Sequence, residues 1–266
     1  MTQGHDQAGR PGRTLLVRRG ALARLVLDNP RARNALTAAM YEQLADHCAA
    51  LAADPDVRLV VLEGAGGAFA AGTDVADLVA VGDGAAGVAY EGEITRVLDA
   101  VRALRVPVVA LVQGPAVGGG LALLACCDLV YATPDARFGA PVARTLGNCV
   151  SPATIARMRA VMGRALATDL LLTGRLASAE EALAAGMLRA VLPAEELEAV
   201  VEDLLARVTA CAPLSVAASK ELGQRLDDLA TAVERDDVFE VVYGSQDFRE
   251  GVTAFLTKRR PVWQGR

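Results

Sequence analysis

The sequence predicts an α/β fold followed by a helical C-terminal region, and three observations point to it. Short apolar runs suited to buried strands alternate with helix-period segments through the first half of the chain. Strands that alternate with helices pair in parallel through crossovers. Beyond about Ser151 the strand signal fades, and Gly163, Gly174, Gly186 and Pro213 punctuate a helical remainder. Residues 14–195 are therefore expected to form one α/β core, with a helical region over 196–266 and a disordered tail over 1–13.

Taken in order, residues 15–17 and 22–27 are short apolar runs separated by Arg18, Arg19 and Gly20, the pattern of a β-hairpin. Between residues 37 and 53, Met40, Leu44, Cys48 and Leu51 recur at steps of three and four, with Thr37 placed to cap an amphipathic helix. Residues 59–62 are apolar throughout and bounded by charges, which suits a buried strand. The pattern repeats as a helix over 88–104, a strand over 108–112, a helix over 119–125 and a strand over 129–131. Gly82, Gly84 and Gly87 mark residues 80–89 as a mobile loop.

Composition excludes several classes of function. Of the 266 residues 53% are hydrophobic and only 4% aromatic, so the core is built mainly from Ala, Leu and Val. The net charge is −5 and the arginines are scattered, which leaves no electrostatic footprint for nucleic acid. No apolar run reaches the ~18 residues of a membrane span. Five cysteines without paired CxxC spacing give no zinc or dithiol site, and a reduced, cytoplasmic compartment follows.

Histidine, the commonest general base near neutral pH, occurs only at His5 in the tail and His47 in the first helix. Ser-His-Asp and Cys-His triads are thereby excluded. Gly118, Gly119 and Gly120 follow a buried strand and open an apolar helix, so backbone N–H groups there can approach an oxyanion or a phosphate. Tight helix packing is the competing explanation for these glycines. The stretch is neither a Walker loop nor the GxGxxG of dinucleotide folds, so a nucleotide-binding role is disfavoured. A second turn, over residues 68–75, follows the strand at 59–62, and two such turns can polarise one carbonyl oxygen between two amides.

With these segments in place, the chain resembles the crotonase (enoyl-CoA hydratase/isomerase) superfamily over residues 14–263. Asn29 to Leu36, Phe69 to Val75, Pro107 to Ala110 running into Gly118–Gly120, and Cys127-Asp128-Leu129 carry the first part of it. Leu172 to Gly174, Ala182 to Gly186, Pro213 to Lys220 and Arg249 to Leu256 follow in the family order. The resemblance implies a spiral of ββα units with a C-terminal helical region, assembling as a homotrimer or homohexamer. It also implies a coenzyme A thioester as substrate, no permanently bound cofactor, and an enolate stabilised between the backbone amides of Thr73 and Gly119. Ala71, Asp74 and Val75 of the same turn, Arg31, Lys258 and Arg259 fall at positions that hold the CoA portion.

The resemblance also exposes a departure. Hydratases of the family use two glutamates; the matching positions here are Ala122 and Val142, or Ala143 if the count runs back from Gly147. None of these can move a proton. Arg144, Asn148 and Cys149 are the candidates to replace them. Cys149 could act as nucleophile or acid if Arg144 lowers its pKa, or it could be a small buried residue. Arg144, among apolar neighbours, calls for an anionic partner: Asp135, Asp169 or a substrate carboxylate. Two functions compete on this reading: an acyl-CoA enzyme that is not a two-glutamate hydratase, and a non-catalytic acyl-CoA-binding protein of the same fold.

Overall fold

A computed structural model describes residues 11–229 and 236–266. Strand β1 (Arg13–Arg19) and strand β2 (Leu22–Asp28) form the expected antiparallel hairpin, its turn made by Gly20 at φ +58°. The tail over 1–13 lies outside the described residues as far as residue 10, and Arg13 already belongs to β1. Helix α1 (Ala38–Ala52) buries Met40, Leu44, Cys48 and Leu51 on one face, and the Thr37 hydroxyl accepts the Met40 N–H at 3.3 Å. Strand β3 (Leu59–Gly64) then pairs parallel with β2.

Helix α2 (Val75–Leu78) and helix α3 (Gly84–Arg102) lead to strand β4 (Val108–Val112), all five of whose residues are buried. From here the spiral is visible in the topology. Strand β5 (Pro115–Val117) leaves for a second sheet, helix α4 (Gly119–Leu124) returns, and strand β6 (Leu129–Ala132) pairs with β4. Strand β7 (Arg137–Gly139) repeats the excursion by pairing with β5. Helices α5 (Val142–Thr145) and α6 (Pro152–Thr173) follow, the latter broken at Gly163, where φ is +72°.

After residue 151 the sequence shows only helices, but two short strands are present. Strand β8 (Ala177–Ser178) pairs with β7, helix α7 (Ala179–Ala184) follows, and strand β9 (Ala190–Val191) closes the first sheet in the order β1-β2-β3-β4-β6-β9. Two residues span no full period of alternation, so such strands leave no pattern to read. Helix α8 (Leu197–Thr209) packs Leu197 and Val201 on the sheet face formed by Leu59, Val61, Val109 and Tyr131. Helices α9 (Pro213–Asp228), α10 (Asp236–Tyr243) and α11 (Gln246–Leu256) complete the chain.

Only residues 80–83 of the segment 80–89 form the loop its glycines suggest; the rest is helix. Gly84 is the first residue of α3, capped by the Asp83 carboxylate, which accepts from the Ala86 N–H at 2.8 Å. Gly84 and Gly87 are buried because α10 lies on them. A methyl group at Gly84 would sit 2.3 Å from the Glu240 carbonyl oxygen, and one at Gly87 would sit 2.3 Å from the Tyr243 ring. Missing side chains here are what allow two helices to approach.

Candidate active site

The turn after β3 is tied into the fold from both sides. Asn34, held at φ +58°, donates from Nδ2 to the carbonyls of Ala65 (2.8 Å) and Ala68 (2.6 Å), while its Oδ1 accepts from the Asn29 N–H at 2.8 Å. The Asn29 to Leu36 motif is thus a clamp on the turn. Ala70 N–H donates to Pro115 O (3.0 Å), Ala71 N–H to Arg33 O (3.0 Å), and Asp74 N–H to Leu36 O (2.8 Å). The Thr73 amide is passed over in this series. Among the described backbone hydrogen bonds none uses it as donor.

The partner turn is built by Gly118, whose φ of +53° with ψ of −115° belongs to glycine. Gly118 N–H donates to Gly139 O at 2.8 Å and its carbonyl accepts from Ala122 N–H at 3.0 Å. Gly119 is the first residue of α4, where an amide has no partner within the helix. A methyl group there would lie 2.3 Å from the Tyr41 hydroxyl and 2.8 Å from Thr73 Oγ1, so the backbone is approached too closely for a side chain. Those two hydroxyls hydrogen-bond each other at 3.0 Å.

Thr73 and Gly119 line one cavity, together with Ala71, Val75, Ala122, Val142, Asn148 and Cys149. Ala122 and Val142 both face the cavity, whereas Ala143 is exposed and does not line it. Both lining positions carry aliphatic side chains.

Asn148 and Cys149 line the cavity as the sequence reading expected, but that reading missed Glu91 and Tyr243 beside them in the same wall. Glu91, 8% exposed, projects from α3 into the cavity and, among the described lining residues, supplies its only carboxylate. The Tyr243 hydroxyl donates to Glu91 Oε1 and accepts from Asn148 Nδ2 at 3.2 Å. A signal existed: the buried residues of α3 are Gly84, Gly87, Glu91, Val97, Leu98 and Val101, so an acid stands inside an apolar stripe.

Electrostatics distinguish the polar groups of this wall. Burial pushes the Cys149 thiol up to about 11, and the nearby Glu91 charge pushes in the same direction. Arg144 does not lower it. Burial likewise raises the phenols of Tyr41, Tyr90 and Tyr243 far above neutral pH, and Glu91 adds to each of these shifts. Tyr243 consequently stays an O–H donor, and Cys149 is a thiol rather than a thiolate at neutral pH.

The remaining expected residues are distributed elsewhere. Arg144 is exposed on α5 and lines an adjoining cavity with Arg259, Arg260 and Trp263, which shares Thr145 and Phe255 with the first. The premise that it is buried among apolar groups does not hold, and Asp169 pairs with Arg175 at 2.6 Å instead. Asp135 accepts from the Thr133 hydroxyl at 2.5 Å. Arg259 pairs with Glu250 at 2.5 Å, and Lys258 is exposed at φ +54°. Arg31 is exposed on the 3-10 turn at Pro30–Ala32, outside both cavities. Asp74 caps α2 through the Ala76 N–H at 3.0 Å. Among the described residues no cluster of His, Cys, Asp or Glu is arranged to hold a metal, and no helix is long and apolar enough to cross a membrane.

A spiral of strands and crossover helices with a helical C-terminal region defines the fold class, and comparison with known proteins fixes which family it is. The sequence pattern of the family Enoyl-CoA hydratase/isomerase matches residues 18–266. The chain is 33% identical to the crotonyl-CoA hydratase of Syntrophomonas wolfei over 256 residues, covering 92% of this chain and 95% of that one. The crystal structure of an enoyl-CoA hydratase from Mycobacterium avium subsp. paratuberculosis superposes with a TM-score of 0.81 at 31% identity, over 94% of this chain and 98% of that one. A methylmalonyl-CoA decarboxylase in complex with 2-nitronate-propionyl-CoA gives 0.85 at 26% identity, over 96% and 99%. The protein belongs to the enoyl-CoA hydratase/isomerase family and is an acyl-CoA enzyme of that family.

Proposed function

We propose that the enzyme forms an enolate from an acyl-CoA thioester, with the carbonyl oxygen between the Thr73 and Gly119 amides, and that it is not a two-glutamate hydratase. The observation that carries this is the composition of one cavity, lined by two residues whose amides have no partner among the described backbone bonds and by the aliphatic Ala122 and Val142. Preorganised donors aimed at a developing oxyanion stabilise it without reorganisation, and each is worth about 10²- to 10³-fold in rate. A side-chain change at 73 leaves this function intact because the donor is backbone. Hydration, by contrast, requires groups that deliver and remove a proton of water, and neither aliphatic residue does so.

The CoA portion is assigned to the adjoining cavity, where Arg144, Arg259 and Arg260 gather positive charge beside the shared Phe255. This moves Arg144 from a chemical role to a binding one. Exposed Leu214, Leu222 and Leu226 on α9, with Leu229 after it, form a stripe at helical spacing that suits burial in a homotrimer or homohexamer. Light scattering of the purified chain tests the assembly.

Hydration of crotonyl-CoA, compared between the wild type and the Ala122→Glu/Val142→Glu variant, tests the reaction. The wild type is expected to turn over at least about a hundredfold more slowly than a hydratase bearing both acids. Robust wild-type hydration would sink the reading. Binding of every acyl-CoA tried with conversion of none would favour the non-catalytic alternative.

A further inference from the structure

We propose that Glu91 is the catalytic base of this enzyme: its carboxylate removes the α-proton of the acyl-CoA thioester, with Tyr243 and Asn148 as positioning residues. The inference rests on the enolate reading above and supplies the group that reading leaves unnamed.

Geometry comes first. Among the described lining residues Glu91 carries the only carboxylate, in the same cavity as the Thr73 and Gly119 amides. Its Oε1 is fixed by the Tyr243 hydroxyl, which can donate there because its own lone pair accepts from Asn148 Nδ2 at 3.2 Å. Asn148 Oδ1 is buried with no hydrogen-bond partner, an acceptor left over in the wall of the cavity. Gly84 and Gly87 on α3 admit α10 close enough for this, and Gly87 lies one helical turn before Glu91 on the same face. Three segments far apart in the chain therefore converge on one carboxylate.

Chemistry narrows the choice. The other titratable groups lining the cavity, Tyr41, Tyr90 and Cys149, all hold their protons at neutral pH. They cannot accept another. Burying a carboxylate costs free energy and is conserved in a structure only where it is hydrogen-bonded, and buried acids in clefts are where general bases are found.

The step balances without any co-reactant. The α C–H bond breaks and its proton passes to a Glu91 carboxylate oxygen. The C–H electron pair becomes the carbon–carbon π bond of the enolate, and the carbonyl π pair moves onto the oxygen that the two amides face. Return of the proton regenerates the carboxylate, and exchange of the protonated Glu91 with water labels the substrate.

The full-length protein in D₂O, incubated with butanoyl-, octanoyl- and phenylacetyl-CoA, provides the test, with α-deuteration read by mass spectrometry and affinity by calorimetry. The wild type should label at least one probe. Glu91→Gln should lose about 10²-fold or more of that rate with Kd changed less than about threefold, and Glu91→Asp should recover part of it. Should the glutamine variant melt early, the aspartate variant alone decides: a rate equal to wild type overturns the proposal. Labelling by Glu91→Gln within about threefold of wild type overturns the assignment of the base and leaves the enolate reading standing. A wild type that binds the probes and labels none overturns both.

Discussion

The two walls of the cavity are built on different principles. One is backbone: the turns at 70–74 and 117–119, locked by main-chain bonds from Arg33, Leu36, Pro115 and Gly139. The other is side chain: Glu91, Asn148 and Tyr243, brought together from α3, the segment after α5, and α10. A backbone donor survives nearly any substitution at its own position, so the polarising wall tolerates Thr73. A carboxylate does not, and the acid of this site stands on a different helix from Ala122. On the reading proposed above, the comparison teaches that donors supplied by backbone and an acid supplied by a side chain answer to mutation independently.

Several measurements would break or sharpen this contrast. The largest effect is expected on the backbone wall. Gly119→Ala places a methyl group against the Tyr41 hydroxyl and Thr73; a displacement of about 1 Å at the donor lowers the exchange rate by about 10²-fold, measured by α-deuteration. Second, Gly87→Ala drives a methyl group into the Tyr243 ring. Overpacking of this kind costs about 1–3 kcal/mol, read as a lower melting temperature, and the rate falls with it as Tyr243 is pushed from Glu91.

Tyr243→Phe removes one hydrogen bond to a carboxylate and little volume. The rate should drop by about 10- to 100-fold, in line with about 1.5–3 kcal/mol for a bond to a charged group, while acyl-CoA affinity stays constant. A smaller effect is expected at Cys149, whose thiol is held up at about 11. Cys149→Ala should keep the rate within about threefold, and alkylation of Cys149 should accelerate about tenfold per pH unit up to about pH 11, with exposed Cys211 modified first. A tenfold loss in Cys149→Ala would restore the thiol as a participant.

The smallest effect lies at the far side of the second cavity. The Arg259 guanidinium beside Glu250, with the Val262 N–H, holds that carboxyl down to about 2 from an ordinary 4.5. A depressed acid favours the folded state above its ordinary range, so this contact is present above about pH 4.5 and is lost as pH falls toward 2. A side-chain carboxyl NMR titration should show Glu250 as a late-titrating group; a midpoint near 4.5 would mean that Arg259 is free to face a ligand.

Much of the polarising wall was legible. The apolar runs at 59–62 and 108–112 and the glycines at 118–120 are local patterns whose consequences are local, and β3, β4 and the α4 turn stand where they indicate. Of the acid wall only Asn148 and Cys149 were legible; Glu91 and Tyr243 were not, for a physical reason. Gly84 and Gly87 signal absence of a side chain, and sequence alone does not say whether that absence means freedom or contact; α10, distant in the chain, makes it contact. Arg144 shows the converse error. Its apolar neighbours suggested burial, but α5 is a single turn that leaves Arg144 and Ala143 outward. Glu91 was visible only as an acid out of step with its helix.

The bond between Tyr243 and Glu91 joins residues 152 apart. On the ribosome, α3 and both amide turns emerge while α10 is still unwritten, and Phe255, which closes the same cavity, comes later again. The Tyr243 hydroxyl is therefore the last of the three polar groups on this wall to be made, after Glu91 and Asn148. The hydrogen bond that orients Glu91 thus forms only once the end of the chain has been made and has docked, so this wall depends on a contact of long sequence separation.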